Sequence, residues 1–384
     1  MTEPVVVCRN PNPRYHLDFP ALAVAANGDV LILARQCGAW ADDATFKFGR
    51  PLTFFEIRAE MMLLRSTDGG RSFLAESTLH TGLAYDPVLC ALADGTMMAG
   101  MVVGEAGSRR ERADLRGVLH RHLPQLDTVI AVRGLGVWHS HDDGRTWSAE
   151  PLLVSLPGWE NLYNLRRPFQ LADQTLIMPV TVGYPWRSRY VGLLRSWDGG
   201  ASWADPSFVT EDPAGRVHYA AGVGYWQPAM TAAPNGDLLC VCVLDNRDSA
   251  PPRGPGSASG PRTFGPTEGL PRLVRAHSVD SGFTWSLPQD TGLGGDFPSL
   301  TTLPDGRLLL TYAQRHSDGS AVLVHLSEDG GVTWTPARAV RESGASLFYY
   351  PSSLVLADGA LLTVCMTSQP GGVRVVEAVR WQNP

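Results

Sequence analysis

The octapeptide Ser66-Thr67-Asp68-Gly69-Gly70-Arg71-Ser72-Phe73 recurs four more times along this chain of 384 residues. All five copies, which we call the Asp turns, fit the pattern S-x-D-x-G-x-[TS]-[WF], and the later ones are Ser140–Trp147, Ser196–Trp203, Ser278–Trp285 and Ser327–Trp334. Each follows an apolar run, so every copy predicts a strand, a tight turn and another strand. The aspartate can accept hydrogen bonds from its own turn, the glycine supplies a positive φ, and the closing aromatic ring can pack between neighbouring sheets. We therefore expect these motifs to be structural.

A second repeat lies between the Asp turns. It begins with a proline preceded by two polar or aromatic residues, and the six prolines are Pro20, Pro87, Pro168, Pro228, Pro298 and Pro351. A glycine stands eight residues after five of these prolines, and Gln174 stands near that position in the third copy. An apolar run follows each time, so the pattern predicts a β-hairpin with the proline at the first position of its first strand.

The two repeats alternate, and one unit of each supplies four strands. Six such units predict an all-β, six-bladed β-propeller whose blades are four antiparallel strands, in a single domain covering residues 1–384. The sixth unit ends after its third strand. We expect Val5–Val7 to add the missing fourth strand, which would close the ring and remove an exposed sheet edge.

Composition narrows the classes of function. The net charge of −6 argues against a nucleic-acid partner. The sequence has no run of eighteen apolar residues, so no membrane span is expected. The N-terminus shows no signal peptide, so we expect a cytoplasmic protein, and the six cysteines have no C-x-x-C spacing, which favours reduced, buried thiols. The ten histidines show no metal-binding spacing, so neither a metal nor another cofactor is expected.

Three long connections interrupt the repeats, at residues 36–58, 104–130 and 245–271, each between the second and third strands of a blade. Residues 109–122 mix charges at helical spacing, which predicts a short surface helix there. In a propeller these connections open on the same face as the beginning of each first strand. We therefore expect one central funnel ringed by Asp18, Arg35, Asp42, Asp43, Asp86, Arg166, Arg167, Gln227, Arg247, Asp296, Arg315, Tyr349 and Tyr350. Arginine binds carboxylates bidentately, and aromatic rings stack on sugar faces.

The Asp turns match the Asp-box, and the chain resembles the sialidase (neuraminidase) superfamily over nearly its whole length. The resemblance implies an aspartate acid/base at Asp42 or Asp43 and a tyrosine nucleophile at Tyr350 or Tyr349. It also implies arginines on a substrate carboxylate, for which Arg247 and Arg315 match by position. The family's opening Arg-Ile-Pro is Asp18-Phe19-Pro20 here, so the first of those arginines is missing, and Arg35 is the candidate replacement. Glu160 is a guess for the tyrosine's activating carboxylate.

Three functions remain open at this point. The first is a glycoside hydrolase acting on an acidic sugar, with Asp42 or Asp43 as proton donor and Tyr350 as nucleophile or orienting group. The second is a lyase that eliminates across a uronic acid. The third is a propeller that binds a carbohydrate or a protein without catalysis, because a fold does not determine a function.

Overall fold

Six antiparallel sheets form a closed ring, which confirms the predicted six-bladed β-propeller. The computed structural model of the protein describes residues 5–10, 12–38, 59–108, 120–123, 128–154, 162–163, 165–184, 188–210, 224–245, 270–316, 319–344, 346–369 and 372–382. Each blade runs outward from an inner strand at the propeller axis.

The first three blades follow one another along the chain. Blade 1 consists of β2 (Tyr15–Val24), β3 (Val30–Gly38), β4 (Glu60–Ser66) and β5 (Leu74–Thr81). Blade 2 consists of β6 (Ala84–Ala91), β7 (Met97–Ser108), β9 (Thr128–Ser140) and β10 (Leu152–Val154), with β8 (His120–Leu123) paired to β9. Blade 3 has a divided inner strand, and consists of β11 (Leu162–Tyr163), β12 (Phe169–Gln170), β13 (Leu176–Tyr184), β14 (Ser188–Ser196) and β15 (Ala204–Phe208).

The last three blades complete the ring. Blade 4 consists of β16 (Gly224–Ala232), β17 (Leu238–Asp245), β18 (Arg272–Ser278) and β19 (Gln289–Gly294). Blade 5 consists of β20 (Asp296–Thr302), β21 (Leu308–His316), β22 (Gly319–Ser327) and β23 (Arg338–Ser343). Blade 6 consists of β24 (Leu347–Val355), β25 (Leu361–Ser368), β26 (Arg374–Trp381) and, from the other end of the chain, β1 (Val6–Cys8).

Ring closure uses the N-terminal strand, as predicted. Strand β1 pairs antiparallel with β26, with Val6 opposite Ala378 and Cys8 opposite Val376. Cys8 is 6 % exposed and joins the apolar core between blades 6 and 1. The strand thus covers the edge of β26 and contributes to the packing that holds the first blade against the last.

The Asp turns have the predicted structural geometry. In the fourth copy the Ser278 hydroxyl donates to Asp280 Oδ1 at 2.7 Å, and the amide and hydroxyl of Thr284 donate to the two oxygens of that carboxylate at 2.9 and 2.6 Å. The amide of Gly282 donates to Ser278 Oγ at 2.8 Å. The indole of Trp285 donates to the carbonyl of Gly282 at 3.0 Å, so the whole motif is bonded to itself.

Each Asp turn also joins its blade to the preceding one. A Cβ placed on Gly331 would lie 2.5 Å from Leu239 of blade 4, and one placed on Gly144 would lie 2.7 Å from Leu31 of blade 1. The closing aromatics Phe73, Trp147, Trp203, Trp285 and Trp334 pack into five different interblade cores. Glycine is therefore required at these turns for close approach as well as for its positive φ.

Two local predictions were wrong. The prolines of the second repeat do not begin their strands: Pro20, Pro87, Pro228, Pro298 and Pro351 lie inside β2, β6, β16, β20 and β24. Each sits at a register shift, where a missing ladder donor costs little. The helix expected over 109–122 also fails at its end, because residues 120–123 form strand β8 and pair with β9 instead. Residues 109–119 lie outside the described part.

Other expectations concern thiols and membranes. All six cysteines are described, and all are free and buried. No helix in the described ranges is long and apolar enough to cross a membrane.

Candidate functional site

The residue directly before each proline lies at the propeller axis, and we call these six residues the axial ring: Phe19, Asp86, Arg167, Gln227, Phe297 and Tyr350. All except Arg167 have a positive φ, between 50° and 57°. For side chains of this size a left-handed backbone is strained, and such strain concentrates at functional sites. The strain coincides with the β-bulges at the prolines of the other five blades, so in each of these blades the bulge turns one side chain towards the axis.

An axial cavity of about 60 Å³ lies among these residues. Its charged lining residues are Asp86, Arg166 and Arg167, and Tyr350, Phe19 and Phe297 line it as well. This volume holds a few water molecules and no sugar ring.

Tyr350 stands at the centre of the site. Its ring contacts Phe19 edge-on at 4.8 Å between centroids and Phe297 at 4.4 Å. The guanidinium carbon of Arg166, from the opposite blade, lies 5.3 Å from the same ring centroid. Burial raises the pKa of Tyr350 well above its ordinary value, Asp86 raises it further, and Arg166 opposes this. The phenol is thus protonated at neutral pH, with a carboxylate close enough to influence it.

Arg166 is a half-buried cation with spare donors. Its Nη1 donates to the carbonyl of Leu165 at 3.2 Å, whereas its buried Nη2 has no hydrogen-bond partner among the described residues. Burial lowers its pKa, and Tyr350 and Asp86 partly offset that effect. No ion pair of Arg166 is found within the described ranges. The guanidinium is therefore available to an anionic group arriving from the funnel.

Arg167 reaches further down the axis. Its Nη1 donates to the carbonyl of Ser353 in blade 6, across the ring, at 3.5 Å. Burial lowers its pKa, and the Cys90 thiol acts in the opposite direction. Ser353 and Cys90 both follow the prolines of their inner strands, so this guanidinium lies below the level of Tyr350.

Asp18 and Arg35, by contrast, form a buried ion pair. Arg35 is fully buried and its Nε lies 3.1 Å from Asp18 Oδ1, while Arg374 Nε lies 3.3 Å from Asp18 Oδ2. Burial alone would lower the pKa of Arg35, but Asp18 and the Cys37 thiol raise it above its ordinary value. The Arg35 guanidinium also lies over the Phe19 ring at 4.9 Å. This arrangement holds Phe19 in place and keeps Arg35 away from solvent.

Blade 5 repeats the same device. Arg315 forms an ion pair with the buried carboxylate of Asp296, and its guanidinium carbon lies 4.6 Å from the Tyr349 ring and 5.3 Å from the Phe297 ring. Its side chain is 19 % exposed, so it remains within reach of solvent, unlike Arg35. Burial would lower its pKa, and Asp296 raises it overall.

Gln227 links three blades. Its side-chain oxygen accepts a hydrogen bond of 2.7 Å from the backbone amide of Phe297 in blade 5. The backbone amide of Gln227 donates to Thr181 Oγ1 in blade 3 at 3.2 Å. It is 1 % exposed. These bonds stabilise the bulge that carries Phe297. The hydrogen bonds described for Gln227 are therefore structural.

The structure thus brings Asp86, Arg166, Arg167 and Tyr350 together and places the two Asp–Arg pairs around them. Asp42, Asp43 and Arg247 lie outside the described residues and stay predictions, as does the guess at Glu160. Sequence reasoning missed the roles of Phe19, Phe297 and Arg374, and did not connect Asp86 with Tyr350. The sequence did contain a signal for the second of these, because Asp86 and Tyr350 each stand directly before a repeat proline. No group of His, Cys, Asp and Glu able to hold a metal occurs among the described residues.

No protein-family model and no curated protein matches the chain. A protein of unknown function from Dyadobacter fermentans superposes with a TM-score of 0.75 at 19 % identity, covering 100 % of this chain and 99 % of that one. The α-L-arabinanase of Penicillium chrysogenum, complexed with arabinobiose, gives 0.61 at 16 % identity over 99 % and 98 %.

A Hadza microbial sialidase gives a TM-score of 0.57 at 18 % identity, covering 94 % of this chain and 65 % of that one. The similarity in sequence is low for all three, so the shared property is the fold. The chain has the six-bladed propeller architecture that is also found in sialidases and in arabinan-degrading glycoside hydrolases.

Proposed function

We propose that the protein is a glycoside hydrolase that acts on an acidic sugar bound over the axial cavity. The fold supports an activity on glycans, because sialidases and an arabinanase share it. The finer proposal, a carboxylate-bearing sugar, depends on the site itself. The observation that carries it is the Arg166 guanidinium beside Tyr350, with a buried Nη2 for which the described residues provide no hydrogen-bond partner.

Binding is the first step. A carboxylate on the sugar would accept charge-assisted hydrogen bonds from Arg166, and this interaction is strong because the guanidinium is half-buried. Arg315 at the rim, still partly exposed beside Tyr349, and Arg247 would contribute further positive charge. Phe19 and Phe297 form the apolar floor on which a sugar face can rest.

Chemistry requires proton transfers at two places. The phenol of Tyr350 is protonated, so attack by its oxygen on the anomeric carbon needs a base. We assign that role to Asp86, which raises the pKa of Tyr350 more than Asp18 does. As the carbon–oxygen bond to the leaving group breaks, that oxygen takes a proton from Asp42 or Asp43. Water, which gives a proton to the carboxylate of Asp42 or Asp43, then displaces Tyr350 from the sugar, and Asp86 returns its proton to the phenol oxygen.

The test is an assay of the purified protein against matched fluorogenic glycosides. Sialosides and uronides carry a carboxylate, while arabinosides and glucosides do not. Turnover of an acidic substrate, with little on the neutral ones, is expected. Turnover of neutral substrates alone would refute the acidic-sugar proposal, and binding on a glycan array without turnover would identify a binding propeller.

A uronate lyase uses the same groups differently and needs a separate readout. An arginine neutralises the carboxylate and a tyrosine moves the proton on the neighbouring carbon. The product then contains a new unsaturated bond that absorbs ultraviolet light. Appearance of that absorbance on a polyuronate would replace the hydrolase proposal with the lyase one.

A further inference from the structure

Two arginines and one carboxylate are the charged groups that line the axial cavity, so its described lining carries a net charge of +1. Arg166 is turned to the funnel mouth at Tyr350, and Arg167 is directed down the axis towards Ser353. A glycan held at the mouth does not compensate the charge of Arg167. The proposed function therefore leaves the positive charge of Arg167 uncompensated.

Arg167 has few partners for a cation in this position. A guanidinium carries five N–H donors, and a single hydrogen bond of 3.5 Å, near the limit of a real one, is made among the described residues. Its acceptor, the Ser353 carbonyl, already receives a 2.7 Å bond from the Thr301 hydroxyl. None of the described carboxylates forms an ion pair with Arg167. Because arginine stays protonated in proteins, the charge persists there and needs compensation.

We propose that the axial cavity binds one small monovalent anion, chloride or bromide, against the guanidinium of Arg167. A volume of about 60 Å³ has room for one such ion with a water molecule, and it excludes a sugar or any larger organic acid. Apolar residues supply much of the remaining wall, among them Leu22, Val88 and Leu89. A weakly hydrated halide suits such a wall better than fluoride, sulfate or phosphate, which lose more hydration on burial.

An anion in this place would hold the ring together at its axis. Arg167 comes from blade 3 and its acceptor Ser353 from blade 6, so a bound halide lies between opposite blades. A ligand that binds the folded protein alone raises its stability as the ligand concentration rises. The predicted effect is thus one on stability, and it does not depend on whether the protein cleaves a glycan.

The first experiment follows thermal unfolding of the full-length protein at constant ionic strength. Sodium chloride or bromide is exchanged stepwise for sodium gluconate, and sodium fluoride serves as a second reference. The unfolding temperature is expected to rise saturably with chloride and bromide and not with fluoride. Equal unfolding temperatures in all four salts would overturn the proposal.

Arg167→Gln supplies the matched variant. It removes the cation, so the chloride dependence should disappear and the variant should unfold at or above the wild-type temperature in gluconate. Arg307→Gln, at the exposed Asp305–Arg307 pair in a hairpin turn, should keep the full chloride dependence. An Arg167→Gln protein that responds to chloride as the wild type does would contradict the assignment.

Bromide provides a readout that requires no variant. Crystals of the wild-type protein grown in sodium bromide should show an anomalous peak in the axial cavity beside Arg167. Bromide found only on the surface, or an axial cavity without a peak, would overturn the proposal even if Arg167→Gln did not fold. Neither outcome affects the glycosidase assay, so the two proposals fail independently.

Discussion

Arg166 and Tyr350 face each other across the propeller axis, with the guanidinium carbon 5.3 Å from the centre of the phenol ring. They belong to blades 3 and 6 and are 184 positions apart in the chain, and only closure of the ring brings them together. Arg166 stands two residues before the repeat proline of its blade, and Tyr350 stands directly before that of its own blade. The repeat therefore positions both groups of the proposed chemistry.

Loss of the Tyr350 hydroxyl is predicted to slow turnover strongly without unfolding the protein. Tyr350→Phe keeps the ring contacts with Phe19 and Phe297, so the fold should survive. The reaction should slow by about 100-fold or more, the usual size of such effects. Tyr312→Phe is the control, because it removes a buried hydroxyl that bonds His325 inside blade 5. Equal activity of both variants would remove Tyr350 from the mechanism.

Arg166→Gln is predicted to separate acidic from neutral substrates. It removes a charge-assisted contact, which corresponds to a fall of about 10- to 100-fold in kcat/KM for a carboxylate-bearing glycoside. A neutral glycoside that the wild type accepts, however slowly, should be cleaved at the same rate by the variant. Arg166→Lys keeps the charge without the planar fork and should recover part of the lost activity. A uniform loss on all substrates would indicate structural damage.

Two adjacent glycines test the blade-joining role of the Asp turns. Gly330 and Gly331 both have a positive φ, 72° and 88°, so alanine at either position costs about 1–2 kcal/mol from the backbone. At Gly331 the new Cβ also meets Leu239 at 2.5 Å, which adds about 1–3 kcal/mol, whereas at Gly330 nothing lies within 4 Å. Chemical denaturation should therefore show Gly331→Ala to be clearly the less stable variant. Equal stabilities would argue against tight packing between blades 4 and 5.

Acid should weaken the Asp turns. Burial raises the pKa of Asp329, but hydrogen bonds from Thr333 and Ser327 lower it overall to about 2, against 3.8 in the unfolded chain. The carboxylate therefore stabilises the folded state fully above pH about 4, and this contribution is lost as the pH falls towards 2. Asp329→Asn should be less stable than the wild type at pH 7, and the difference should shrink on acidification.

The control for this prediction is Glu328→Gln. It removes a carboxylate from the same turn and leaves the hydrogen bonds to Asp329 intact. Stability is measured by denaturation at a series of pH values between 2 and 7. A constant difference between the wild type and Asp329→Asn across that range would contradict the assignment.

Removal of the N-terminal strand should open the ring. A protein that lacks residues 1–9 loses the β1–β26 pairing and the buried Cys8, and it exposes the edge of β26. We expect a lower unfolding temperature and aggregation in light scattering, because an unpaired edge recruits other chains. Val7→Ser, at a position of the same strand that is 40 % exposed, should behave as the wild type. A monomeric, equally stable truncated protein would contradict this role of β1.

The repeats predicted the number of blades and the closing strand because they recur in a constant order with a characteristic spacing. The axial ring was harder to predict. Proline usually marks the beginning of a strand, and nothing in Tyr350-Pro351 or Asp86-Pro87 alone reveals a left-handed residue at a bulge. That conformation depends on packing around the axis, where Phe19, Phe297 and Tyr350 touch.

The ion pairs of Asp18 could not be predicted from the sequence either, because they also depend on the folded structure. Arg35 was the candidate replacement for the missing first arginine, but it lies within β3, and the register of β2 and β3 puts it opposite Asp18, where it is buried. Arg374 reaches Asp18 from the far end of the chain. Contacts between residues so distant in sequence cannot be read from local patterns.

The pairing of β1 with β26 also affects how the protein is made. A ribosome releases the residues of β1 before those of β26, and the strands of the other five blades lie between them, so blade 6 cannot be completed until β26 has emerged. Until then β1 has no partner, and an unpaired strand edge can pair wrongly with other chains. Joining residue 384 to residue 1 by a short peptide and opening the chain between two other blades should shorten the time that β1 spends unpaired.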